Sequence, residues 1–221
     1  MENWQEIKEL LLSEIYEEPY QAIEQLIAMD SISDEALEFI LHLDDNFLTA
    51  DFLDGFNKFS YGQLLTLENY IMKNLSNSDR LFVSDLIDFA RKNNFTVFYK
   101  NCIDFISSEK EDYNLILSSI IYISEKHNFT QISEIKTVLD KILEKENYYF
   151  NCQIVAAFYL LRLTFHQIYL EKLVQLLLHT PESNKELIAG VLKYPYNQPE
   201  YFVYHNLIAS FLIPKYISLK T

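Results

Sequence analysis

A chain of 221 residues and 26.2 kDa that is 49% apolar and 15% aromatic holds enough hydrophobic side chains for one core or a short row of stacked repeats, which excludes a disordered chain. Only 3 Gly and 5 Pro occur, too few for the turns of an all-β or α/β protein of this length, so long helices joined by short polar links are expected. The net charge of −14 disfavours nucleic acid and anionic membranes and attracts basic partners.

That charge is uneven. Residues 1–78 carry 16 acids and 3 bases, residues 79–180 carry 13 and 11, and residues 181–221 carry 3 and 4. The N-terminus is acidic and lacks an apolar signal core, and the two cysteines have no disulfide or metal-binding spacing, so a cytoplasmic protein with reduced thiols is expected. The longest apolar run, residues 154–161, is far short of the ~20 residues of a membrane span.

In chain order, Trp4, Ile7, Leu10, Leu11 and Ile15 fall on one face of an amphipathic helix over residues 4–16. Pro19 suits the first turn of a second helix ending near Met29. A polar link at residues 30–34 offers caps for a third helix, with Ala36, Leu37, Ile40, Leu41 and Leu43 inward. Asp45-Asn46 reads as a turn before a helix over residues 49–59 that points Phe52, Leu53 and Phe56 inward. Another helix follows with Leu64, Leu67, Tyr70 and Ile71 on one face, and residues 74–78 form a loop where the charge balance changes.

Residues 79–180 contain three similar stretches, marked by Asn93-Asn94-Phe95-Thr96, His127-Asn128-Phe129-Thr130 and Thr164-Phe165-His166. With Phe95, Phe129 and Phe165 aligned, the spacings are 34 and 36 residues. Thirteen residues before each marker stand Phe82, Ile116 and Cys152; nine before, Leu86, Ile120 and Ala156; six before, Phe89, Ile123 and Tyr159. These steps keep one helix face apolar. Phe98, Ile132 and Ile168 follow each marker by three. Asn94 and Asn128 suit the left-handed residue that ends a helix, Thr96 and Thr130 suit the next cap, and the Phe between them suits a plug between two helices. Counted from Phe47, the upstream section does not follow the repeat. Downstream, Ile188, Leu192, Pro195 and Tyr201 form a degenerate fourth copy, and an apolar docking helix is expected over residues 201–219.

This pattern resembles the HEAT and armadillo-like class of helical repeats. The resemblance implies an all-α fold: a short α-solenoid of antiparallel helical hairpins with atypical capping helices at both ends. The expected organisation is a single all-α domain over residues 1–221. It has acidic N-terminal helices over 1–78, three hairpin repeats over 79–180 and a degenerate repeat or cap over 181–221.

Catalytic motifs are sparse. There is no glycine-rich phosphate loop, no Gly-x-Ser-x-Gly elbow and no His-Glu-x-x-His helix. His42 with Asp44 and Asp45 is the most site-like cluster, but a His near a helix C-terminus needs no function to be there. His166 and His179 are nearly four turns apart, and His127 and His205 stand singly. Cys102 and Cys152 lie among apolar residues and read as buried structural thiols. No catalytic residue, metal or cofactor is expected.

The function expected is non-catalytic protein binding, with a basic protein as partner and neither nucleic acid nor membrane involved. Glu17, Glu18, Asp44, Asp45, Asp51 and Asp54 are the candidate partner-binding residues. In size, charge and class the chain looks like an acidic immunity-type inhibitor of a basic toxin. A general adaptor or assembly factor is the rival of the same class. The alternative from another class is an enzyme or small-ligand binder with a site between helices near His42, Asp44 and Asp45.

Overall fold

The computed structural model describes residues 2–108, 112–145 and 148–179. The chain divides into two compact units, Met1–Lys126 and His127–Thr221. The expected fourth repeat, the Pro195–Pro199 break, His205 and the helix over 201–219 lie outside the described residues.

The described residues form eleven α-helices and no strand: α1 (Glu2–Leu11), α2 (Glu17–Ala28), α3 (Asp34–Leu41), α4 (Asn46–Gly55), α5 (Tyr61–Asn74), α6 (Arg80–Lys92), α7 (Tyr99–Ser107), α8 (Tyr113–Glu125), α9 (Ile132–Glu144), α10 (Phe150–Thr164) and α11 (Gln167–Leu178). The all-α expectation holds. Short polar side chains set many of the boundaries by accepting from N–H groups that have no partner inside the helix. Ser33 accepts from Ala36 N at 3.1 Å, Asp79 from Phe82 N at 3.1 Å and Asp112 from Asn114 N at 2.7 Å. Ser60 and Gln63 form a reciprocal capping box at the start of α5.

Within the first unit, helices two apart in sequence pack together: α2 on α4, α4 on α6 and α6 on α8. Sequence neighbours pack as well, α1 on α2, α5 on α6 and α7 on α8. Gly55 permits the close approach of α2 and α4. A Cβ there would stand 2.4 Å from Ile27 Cδ1 and 2.9 Å from its Cγ1. An aromatic chain then runs through the core from Phe52 and Phe56 by way of Phe59, Phe89, Phe95 and Phe98 to Tyr122, with successive ring centroids 4.8–6.4 Å apart.

The seam between α6 and α8 is polar as well as apolar. Arg91 donates to Glu125 across the seam at 3.0 Å and to Asp88 within its own helix at 3.4 Å. Ser118 hydroxyl donates to Asp88 at 3.0 Å and lies 2.9 Å from Ser84 hydroxyl. Buried Tyr122 donates its hydroxyl to Phe95 C=O at 2.6 Å and accepts from Phe98 N–H at 3.2 Å. One α8 side chain thereby satisfies two polar backbone groups of the link between α6 and α7.

In the second unit α10 packs on both α9 and α11. Gln153 donates to the carbonyls of Ile142 and Lys145 at 3.1 and 2.9 Å, closing the end of α9. Tyr169 hydroxyl donates to Asp140 at 2.8 Å, and Lys136 donates to the same carboxylate at 2.6 Å, tying α11 to α9.

The three apolar rows before the markers are buried as expected, Phe82, Ile116 and Cys152, then Leu86, Ile120 and Ala156, then Phe89, Ile123 and Tyr159, whereas in the row after them Phe98 is buried and Ile168 is exposed. The plugging role given to the marker phenylalanines holds for Phe95 alone; Phe129 is 92% and Phe165 74% exposed. The link chemistry differs too. Asn94 takes the left-handed conformation at φ 61, whereas Asn128 is extended and caps a 3-10 turn at Phe129–Gln131. In the third copy Phe165 itself is left-handed, at φ 58, and turns its ring outward. Thr96 and Thr130 cap no α-helix. Thr130 instead donates to Asn128 Oδ1 at 2.6 Å.

Two N-terminal expectations also change. The first helix stops at Leu11 and leaves Ile15 exposed, because Glu17 already opens α2. The fourth begins at Asn46 because Asp45 accepts from Phe47 N and Leu48 N at 2.9 and 3.0 Å, so the expected turn is an N-cap.

Candidate functional site

α4 stands one period before α6. Their caps, Asp45 and Asp79, are 34 residues apart, as are the buried pairs Leu48 and Phe82, Phe52 and Leu86, and Leu53 and Ile87. Asn46 at the start of α4 donates to the capping carboxylate Asp79 at 3.0 Å, which holds the two helix starts side by side. The 34-residue offset therefore continues upstream of residue 79 when counted from Tyr61 and not from Phe47, with Gly55 in place of the third apolar row.

The same offset places matching side chains on the outer faces: Phe47 with Leu81, Asp51 with Asp85 and Asp54 with Asp88. Steps of four and three keep each set on one face of its helix. Between the two helices lies a groove of about 250 Å³ lined by Ala50, Asp51, Leu53, Asp54, Asp85, Leu86, Asp88, Phe89 and Lys92. Its floor is apolar and its rim acidic. Lys92 pairs with Asp54 across the groove, while Asp88 is held by Ser118 and Arg91. Partial burial of the Asp85 side chain, which remains solvent-exposed, pushes its carboxyl up to about 6, reinforced by the charges of Asp88, Asp54, Asp79 and Asp51.

Of the six acids expected to bind a partner, Asp51 and Asp54 are brought together here. Asp45 is committed to the α4 cap, and Asp44 is exposed beside it, outside the groove lining. Glu17 and Glu18 occupy the first turn of α2, where carboxylates complement the helix dipole. Tyr20 lies on α2. Its hydroxyl proton is held on by the neighbouring Tyr16 and, after burial, by the charges of Asp45 and Asp51. Asp85 and Asp88 were missed because residues 79–180 are almost charge-neutral as a block. The 34-residue offset from Asp51 and Asp54 is the signal that finds them.

His42 lies in a second, larger groove of about 540 Å³ lined by Glu38, Leu41, Leu43, Asn46, Thr66, Asn69, Tyr70, Lys73 and Asn74. Its Nδ1 stands 2.7 Å from Glu38 C=O, a bond that assigns Nδ1 the proton and leaves Nε2 toward solvent. Asp44 and Asp45 do not line this groove. His179 makes the same bond to Gln175 C=O at 2.7 Å, and His166 stacks edge-on against Tyr169. Among the described residues no three His, Cys, Asp or Glu side chains are placed to hold a metal ion.

Cys102 and Cys152 are fully buried, and burial pushes each thiol up to about 12, so neither supplies a thiolate at neutral pH. No helix among the described residues is long and apolar enough to cross a membrane. Comparison of the chain with protein-family models, curated proteins and solved structures finds no match.

Proposed function

We propose that the protein is a non-catalytic protein-interaction module, a short α-solenoid of the HEAT and armadillo-like kind with atypical capping helices. Its acidic N-terminal third binds a basic protein partner. The observation that carries this reading is the doubled acidic face of α4 and α6, where Asp51, Asp54, Asp85 and Asp88 ring an apolar-floored groove. The solenoid is supported by the packing of alternate helices in the first unit and by the 34-residue register of α4, α6 and α8. Glu17, Glu18 and Asp44 add to the field that draws a cation in, raising the rate of encounter, and aromatic side chains then hold the partner. An immunity-type inhibitor of a basic toxin fits this chemistry, with an adaptor or assembly factor as the rival within the same class.

The test is affinity purification from native cells at low and at high salt. A basic partner is expected at low salt, with recovery falling as salt screens the acids. Recovery of no partner, together with hydrolytic turnover that disappears in His42→Ala, contradicts the reading.

A further inference from the structure

The outer faces of α4 and α6 carry more than charge. Phe47 is 62% and Leu81 43% exposed, and they stand at adjacent helix starts joined by the bond from Asn46 to Asp79. One turn further along come Asp51 and Asp85, and beyond them Asp54 and Asp88. The four acids are not equivalent. Asp54 and Asp88 already have partners, in Lys92 and in Ser118 with Arg91. Among the described residues no cation lies within ion-pair distance of Asp51 or Asp85, which both line the groove.

The geometry points to a docking surface for a cationic, amphipathic segment of a partner protein. A Lys or Arg head enters between Asp51 and Asp85, its methylene stem lies along the groove over Ala50 and the edges of Leu53 and Phe89, and an apolar neighbour one turn away packs on Phe47 and Leu81. This rests on the binding function above and gives it a site. The groove, at about 250 Å³, is smaller than the ~300–1,000 Å³ of small-molecule pockets. It suits one long side chain. Lys and Arg match it because they lay an apolar stem along apolar surface and keep the charged head at the rim. Charge complementarity selects the cation: the carboxylates around the groove repel one another, Asp85 feeling Asp88 and Asp54 most and Asp51 least. The apolar pair at the helix starts supplies what a purely electrostatic contact lacks, a desolvated anchor.

The experiment is calorimetric titration of the full chain with a synthetic Leu/Lys amphipathic helix and with its Leu/Glu counterpart, at low salt and neutral pH. Saturable binding of the Leu/Lys peptide and none of the Leu/Glu peptide is expected. The pair Asp51→Asn with Asp85→Asn weakens the Leu/Lys peptide by about tenfold or more, Phe47→Ala by a few-fold, and the charge-matched pair Glu6→Gln with Glu9→Gln on α1 by less than about twofold. Removing mutual repulsion leaves the groove variants at least as stable as the parent, which a thermal melt checks. No saturable binding of the Leu/Lys peptide, unchanged affinity in the groove pair, or equal loss in the α1 pair each overturns the site. If salt-graded purification still recovers a basic partner from cells in any of those cases, the site fails while the binding function stands.

Discussion

At the scale of single residues, Tyr122 and Gly55 are where the fold is least forgiving. Tyr122 closes two hydrogen bonds in a fully buried position. Tyr122→Phe keeps the ring but strands Phe95 C=O and Phe98 N–H, so a loss of about 1–3 kcal/mol in urea unfolding is expected, with the helix content unchanged. Gly55→Ala improves local helix propensity by up to about 1 kcal/mol, yet the new methyl would collide with Ile27, whose β-branched side chain has few other rotamers. The collision is expected to win. A lowered thermal midpoint checks it, and a raised midpoint would mean that Ile27 moves aside freely. The residue scale is also where sequence reading was weakest. Phe129 and Phe165 share the apolar character of Phe95, but a single aromatic in a link carries no periodicity to say which way it points. Asp45 reads equally well as a turn or a cap until the N–H groups of Phe47 and Leu48 are seen to need it.

Helices were far more legible. Rows at three- and four-residue steps identify a buried face because many positions must agree at once, and the rows built on Phe82, Leu86 and Phe89 are all buried. Agreement failed upstream for a definable reason. Counting from Phe47 put Glu38 and Asp34 in apolar rows, whereas counting from Tyr61 puts Leu48 and Phe52 there and brings Asp51 and Asp54 into line with Asp85 and Asp88. The helix pair α4 and α6 also carries a pH dependence. Asp85 has a carboxyl raised to about 6 in the fold against about 3.8 unfolded. Its charge opposes folding fully above pH 6, partly between 4 and 6 and not at all below the unfolded value. Asp85→Asn is therefore expected to stabilise the protein at pH 7–8, by about 1 kcal/mol once solvent screening is allowed for. That gain shrinks toward zero as pH falls from 6 to 4. A gain that persists at pH 4 would mean that repulsion at Asp85 is not its source.

For the molecule as a whole, charge and hydrophobicity divide the work. The buried rows and the polar seam of Arg91, Glu125, Asp88 and Ser118 hold the alternate helices of the first unit in register. The solvent faces of α4 and α6 are then free to carry the same acidic pattern twice. The block charges put nearly all of the acidic excess before residue 79, yet the groove takes two acids from each side of that boundary. The most direct measurement is hydrogen-exchange mass spectrometry of the chain alone and with its captured basic partner. Protection concentrated in the peptides covering α4 and α6, and lost with Asp51→Asn and Asp85→Asn together, is the expected result. Protection confined to α9, α10 and α11, with α4 and α6 unchanged, would contradict it.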